Sequence, residues 1–480
     1  MSGAPFKKLF LQTVISAFLS FATFAFGFVR VYYFSNHLSM EEFGVLSLLL
    51  TVSAFLLYIF TLGSFQFLFK SVNEGDEKRR SAFWSSVVLT IGVSLVGVLT
   101  TYLFLNPISA YLELEAYKEE LFLMVLVSAT TAVMIIFLYY HYGLGRNNFQ
   151  NFLQFLRGSL WVIVCIVVAL FFELKLIHTL WIINLAMIAI LLFSAPWKEA
   201  KDLLSGQENK LEFRKLFRYC LPLMPYFAGV WGIPMIIRTQ LNINDGAKNV
   251  AIFSMAYALM EIVFMFISTI TATLSPYFFA ETVNNQKPGL FYNIMLKYSI
   301  LSIVLIVPFI YMLRSDLILL VASENYLVAA KYIPLLIFFP LLRVLIIVFE
   351  QFYLKESQTM YLGVIYVFSM AASFISAVVL IPRYSIYGAI GASLIAYLII
   401  FLSLFFKQRQ IVDYIYLKIP AIILLALILW AVVFGLGYLN FSNWLKAFPL
   451  ALMAIAGVYL LPILDEQEKS KLAVLLKLKK

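Results

Sequence analysis

Charge is scarce in this sequence: 12% of its 480 residues are charged, while 63% are hydrophobic. A soluble domain is roughly a quarter charged and about half apolar, so a soluble fold is excluded and an integral membrane protein remains. Cysteine is nearly absent. Cys165 and Cys220 lie in or beside apolar segments, with no metal-ligand spacing and no evident disulfide partnership. The three histidines, His37, His141 and His178, are scattered. HExxH, GxSxG, P-loop and Gly-rich dinucleotide motifs are all missing, which argues against an ATP-driven pump unless another chain supplies the motor. Long polar stretches are missing too, so no soluble domain and no bound cofactor or metal are expected.

What is present is a series of apolar runs. A bilayer core takes about 20 apolar residues per helix, and on that ruler the chain holds about fourteen spans, from 11–33 through the close pair 153–172 and 176–196 to 445–463. The first run, after Lys7 and Lys8, is too long for a signal-peptide core and reads as an uncleaved helix. The expectation is an all-α membrane protein. It has a first six-helix lobe over 1–197, a cytoplasmic linker over 198–217, a second six-helix lobe over 218–410, a final helix pair over 411–464 and a basic tail over 465–480.

Orientation follows from where the cations fall. With the N-terminus inside, 25 of the 35 basic residues lie in inner segments, Arg146 and Arg157 among them, and seven lie outside. Both termini are therefore expected in the cytoplasm. The net charge of +10 is mostly this asymmetry, not a nucleic-acid surface. The tail KSKLAVLLKLKK reads as an amphipathic segment on the inner leaflet.

A weak internal echo supports two lobes. FGVLSLLLTVSAF follows Arg30 and VAIFSMAYALMEI follows Arg238, each opening small-x-x-Ser at Ser47 and Ser254. Two lobes of like topology are a transporter plan with the substrate site between them. Charges within spans are the informative residues, because each costs roughly 2.5–3.5 kcal/mol at a helix centre. Arg343 and Glu261 lie deep, and Arg30 and Arg238 hold matching places near the outer ends of their helices. Arg343 and Glu261 as a structural ion pair, and Arg30 and Arg238 snorkelling to the headgroups, are the plainer alternatives. Glu350 reads as a solvated cap. Three cations against one deep carboxylate suit an anionic substrate, with phosphate or pyrophosphate the natural candidate. Sugar hydroxyls have residues such as Asn184 and Gln240 available. In LPLMPYFAGVWGIPMIIRTQL, Pro222 and Pro225 suit a helix start, while Pro234 with Gly229 and Gly232 reads as a hinge.

Three stretches resemble the polysaccharide flippase family, Wzx-type O-antigen flippases included, in the multidrug/oligosaccharidyl-lipid/polysaccharide exporter superfamily. They are GFVRVYYFSNHLSMEEFGVLSLLLTVSAFLLYIFTLG, FRKLFRYCLPLMPYFAGVW and VVLIPRYSIYGAIGASLIAYLI. They look like the family's first helix, Glu-Phe-Gly loop (here Glu42, Phe43, Gly44) and second helix; the start of its seventh helix; and the turn joining helices eleven and twelve. One departure is Arg238, where relatives often carry an aspartate. The resemblance implies a transporter, not an enzyme. Its work would be to move an undecaprenyl-pyrophosphate-linked oligosaccharide to the outer face of a bacterial inner membrane, for O-antigen, capsule or another surface polysaccharide. It also implies proton or sodium coupling, for which Glu261 is the candidate, and a glycan polymerase complex as partner. The alternatives are a multidrug or metabolite antiporter of the same fold, or a membrane glycan polymerase or ligase.

Overall fold

The computed structural model describes residues 18–464, apart from 20, 21, 24, 73–75, 198, 200–210, 281–289, 356–357, 409–416 and 440. Lys7, Lys8, the tail over 465–480 and much of the linker over 198–217 thus lie outside the described residues. Among those described there is no strand. The reason is solvent: in hydrocarbon every backbone N–H and C=O must be paired within its own segment, and a helix does this.

Helix α1 is described over 25–37. There follow α2 (Met40–Thr61), α3 (Asp76–Leu103), α4 (Lys118–Gly143), α5 (Asn147–Ala169), α6 (Leu176–Ser194), α7 (Met224–Asp245) and α8 (Ala247–Ala280). The chain continues through α9 (Leu290–Val321), α10 (Phe338–Lys355), α11 (Thr359–Tyr384), α12 (Ile386–Gln408), α13 (Ile419–Gly437) and α14 (Asn443–Leu460). Among the described residues, 10 helices are long and apolar enough to cross a membrane, or 12 with two bent pairs. The pairs are Phe213–Cys220 with α7, bent by 51°, and Glu324–Leu336 with α10, bent by 53°. Helices α1 and α8 occupy the two remaining positions of the expected fourteen. The chain is an all-α integral membrane protein.

Local chemistry sets several boundaries. Ser39 caps α2: its Oγ accepts from the Glu42 N–H at 3.1 Å, and the Ser39 N–H donates to Glu42 Oε2 at 3.0 Å. This capping box starts the helix before Glu42, so Glu42, Phe43 and Gly44 form the first turns of α2 and not a loop. Helices α11 and α12 meet at Ser385, which takes a positive φ of 52°. The turn is tight enough that a Cβ on Gly388 would lie 2.3 Å from the Leu380 carbonyl oxygen. In α7, Pro225 sits in the first turn, where its missing N–H has no intrahelical partner anyway. The 51° bend falls just before it, and the helix runs unbroken through Pro234. Gly229 and Gly232 bring α11 close, since a Cβ at either would lie 2.6 Å from Tyr366 or Met370. Lipid is as apolar as leucine, so helices in a membrane associate through such close packing.

Two compact units result. One comprises residues 1–254 and 358–396. In it Phe60, Val125 and Ala132 form a core between α2 and α4, and Gly44 packs against the start of α8. The other comprises 255–357 and 397–480. Leu425, Leu429 and Val433 of α13 pack there with Leu301 of α9 and Leu450 of α14, and Asn443 Nδ2 donates to Asp316 Oδ2 at 2.7 Å.

Candidate functional site

In the first unit Arg238 and Arg157 sit within membrane-spanning helices. Helix α7 continues past Arg238 to Asp245, two further turns, which leaves Arg238 buried at 8% exposure. Its Nε donates to Ser254 Oγ at 3.3 Å, and its guanidinium lies 5.5 Å from the centre of the Phe253 ring. This side chain is held by Ser254 and Phe253 of neighbouring α8. The same end of α7 buries Thr239, Gln240 and Asn242, and the Asn242 amide donates to the Leu112 carbonyl at 2.7 Å. Arg30 is half-buried on α1.

Arg157 lies on α5 of the same unit. Counted by sequence with the inner-loop cations, it lies inside α5, because that helix begins ten residues earlier, at Asn147. The start of α5 is anchored. The Arg146 guanidinium pairs with Glu199, and it also reaches His141 Nδ1 at 3.4 Å, while His141 Nε2 bonds the Ser194 carbonyl at 2.9 Å. Burial works to raise the Glu199 carboxyl, but the bond and charge of Arg146 prevail and hold it below its ordinary value. Arg157 neighbours the phenols of Tyr58 on α2 and Tyr139 on α4. Tyr58 stacks on Phe227 at 5.1 Å and lies near-parallel to Trp231 at 6.3 Å. The signal for this residue was available in NNFQNFLQFLRG, where amides recur at helical spacing ahead of an apolar run.

In the second unit Arg343 is half-buried on α10, its guanidinium 5.5 Å from the ring centre of Tyr397, itself 2% exposed. Glu261 is exposed on α8. Glu350, expected as a solvated cap, is buried at 6% exposure. It lies beside Phe349, whose ring faces Phe401 and Tyr292, so packing of α9 and α12 covers that end of α10. Asn184, a candidate for sugar hydroxyls, spends its amide on the Leu123 and Leu180 carbonyls at 3.1 and 3.0 Å. Of the four ionisable candidates, Arg30 and Arg238 belong to the first unit and Glu261 and Arg343 to the second.

Known structures share this helical arrangement. The lipid II flippase MurJ in an inward closed conformation superposes with a TM-score of 0.66 at 13% identity, over 92% of this chain and 97% of that one. An inward-facing multidrug resistance MATE family transporter of the MOP superfamily gives 0.65 at 13% identity, over 83% and 98%. The MATE multidrug transporter DinF-BH gives 0.62 at 12%, over 84% and 95%. At these identities the likeness is one of fold. No curated protein matches the chain by sequence. Residues 10–281 match the family described as polysaccharide biosynthesis protein. That match covers more than half of the chain, and the chain belongs to the polysaccharide biosynthesis protein family.

Proposed function

We propose that the chain is a flippase for a lipid-linked oligosaccharide. It would carry an undecaprenyl-pyrophosphate glycan from the inner to the outer face of a bacterial inner membrane by alternating access, for O-antigen, capsule or another surface polysaccharide. The observation that carries this reading is the sign of the charge held inside the helices: Arg238, buried at 8% exposure, is a guanidinium within a span. Burying such a cation is costly, and a pyrophosphate is the ligand class that its planar donors match in bidentate fashion. Family membership supports the polysaccharide pathway. The distribution of basic residues supports cytoplasmic termini. Coupling to a proton or sodium gradient, with Glu261 as the acid, and docking to a glycan polymerase complex belong to the same proposal, as does a hinge at Pro234, Gly229 and Gly232.

Proteoliposomes test it. An undecaprenyl-pyrophosphate oligosaccharide labelled on the outer leaflet should disappear from reach of an impermeant glycosidase in a protein-dependent, saturable manner, while a cationic dye is not moved. Movement of the dye without the lipid would replace this reading with a drug antiporter.

Arg30 and Arg238 give a second expected result. If both approach one phosphate-bearing headgroup, each alanine variant weakens binding of a lipid pyrophosphate, and the double variant loses less than the sum of the two, because the residues share a ligand. Wild-type binding in both single variants would remove them from the site.

A further inference from the structure

We propose that the groove between α3 and the short helix Phe213–Cys220 holds an alkyl chain of an anionic glycerophospholipid from the inner leaflet, with the lipid phosphate at Arg214. This is independent of the flippase reading, since it concerns the lipid around the chain and not the lipid carried. The short helix is pinned at its start, where the Glu212 N–H donates to Ser85 Oγ on α3 at 2.9 Å. Its buried seam is Leu216 and Cys220, at 0% and 1% exposure. Beside that seam Phe213 and Phe217 stand one turn apart. With Val88, Leu89, Gly92 and Val93 of α3 they line a groove of about 300 Å³. Its floor is open, because a Cβ on Gly92 meets nothing within 4 Å. Phe217 and Val88 are 41% and 43% exposed, so the groove faces outward. From Ser85 to Val93 α3 rises about 12 Å, close to the roughly 15 Å of hydrocarbon in one leaflet.

Charge selects the class of lipid. At about 100° per residue, Arg214 and Arg218 form the ridge next to Phe213 and Phe217, on the side away from the buried seam, and both are exposed. Glu212 is spent on Lys215, whose Nζ lies 2.6 Å from its Oε1, so that pair is neutral and the two arginines carry the net charge of the helix. Among the described residues neither arginine has a carboxylate partner. Lys78, also exposed, shares the face of α3 that presents Ser85 and Gly92 and lies about two turns before Ser85. The distribution of basic residues assigns this end of α3 to the cytoplasmic side. An apolar groove bordered by cations at the interface is the complement of a phosphodiester on an alkyl chain. A zwitterionic headgroup brings a cation of its own against Arg214, so a lipid of net negative charge fits better. All of these residues lie in one compact unit.

The test counts lipids bound to the full chain by native mass spectrometry, with three probes: phosphatidylglycerol, phosphatidylcholine with the same acyl chains, and undecaprenyl phosphate. Wild-type protein should bind phosphatidylglycerol at least about ten-fold more tightly than phosphatidylcholine, since each of two arginines at an anionic headgroup is worth about five-fold. The double variant Arg214→Gln/Arg218→Gln should erase that preference, and lysine at both positions should keep it. Both arginines are exposed, so these changes leave the packing of the helix intact. Gly92→Leu, which puts a side chain into the open groove, should weaken both phospholipids alike and leave the preference between them. Equal binding of the two phospholipids by wild-type protein, or an unchanged preference in the double glutamine variant, would overturn the headgroup site. Unchanged binding in Gly92→Leu would overturn the groove. Undecaprenyl phosphate bound more tightly than phosphatidylglycerol, and lost in Gly92→Leu, would give the groove to a polyprenyl chain and overturn the proposal as well.

Discussion

Alanine at Arg343 is expected to cut transport about ten- to a hundred-fold at matched protein level, while lysine retains part of it. The guanidinium stands on α10 against the face of a Tyr397 ring that is itself buried. A cation over an aromatic face gains about 0.5–2 kcal/mol, and a charge near the centre of a span costs roughly 2.5–3.5 kcal/mol. The yield of folded Arg343→Ala protein, compared with wild type, separates a loss of transport from a loss of stability. What is lost is the charge-assisted contact to a substrate phosphate, on the order of 1.5–3 kcal/mol and so about ten- to a hundred-fold in transport. Lysine keeps the charge but not the two-pronged geometry. The measurement is initial flipping rate in proteoliposomes at matched protein content. A normal rate in Arg343→Ala would return Arg343 to a purely structural part.

The second large effect concerns a contact between backbones. Gly44→Ala is expected to destabilise the first unit by roughly 3 kcal/mol, the upper end of the range for overpacking, and Gly44→Leu to prevent its assembly. A Cβ built on Gly44 falls 1.8 Å from the carbonyl oxygen of Ala247 and 2.6 Å from its carbon. Those are main-chain atoms at the start of α8, behind Gly246 with its positive φ of 79°, so no side chain can swing aside. The helices must separate, and with them goes the anchoring of Arg238 on Ser254 and Phe253. Gly92 on α3 is the control, since a Cβ there meets nothing within 4 Å, and Gly92→Ala should behave as wild type. The readout is the monodisperse fraction recovered in detergent and its thermal midpoint. Equal midpoints for Gly44→Ala and Gly92→Ala would show that α2 and α8 do not depend on this approach.

The fold class and the order of the spans could be read from composition and run length. Each span is an apolar segment near the thickness of a bilayer, and lipid leaves such a segment no conformation but the helix. The capping box at Ser39 and Glu42 was equally present in the letters, and read as such it places Gly44 on a helix. The turn at Ser385 could be anticipated from IPRYSIYG. The locations of the deep charges were legible too, because a charge in a greasy run stands out against its neighbours.

What the letters could not convey was which face of each helix meets protein and which meets lipid. Both surroundings are apolar, so a span carries no amphipathic period to distinguish them. For that reason the burial of Glu350, the use of Asn184 to bond two carbonyls, and the seat of Arg238 on Ser254 emerged only from the packed helices. The setting of Arg157 beside Tyr58 and Tyr139 did so as well. Sequence by itself determined that this chain lives in a membrane, that it crosses many times, and where charges interrupt its apolar runs. Tertiary structure alone decided which of those charges is enclosed and what it touches, because that depends on close approach between helices that glycines permit and hydrophobicity does not encode.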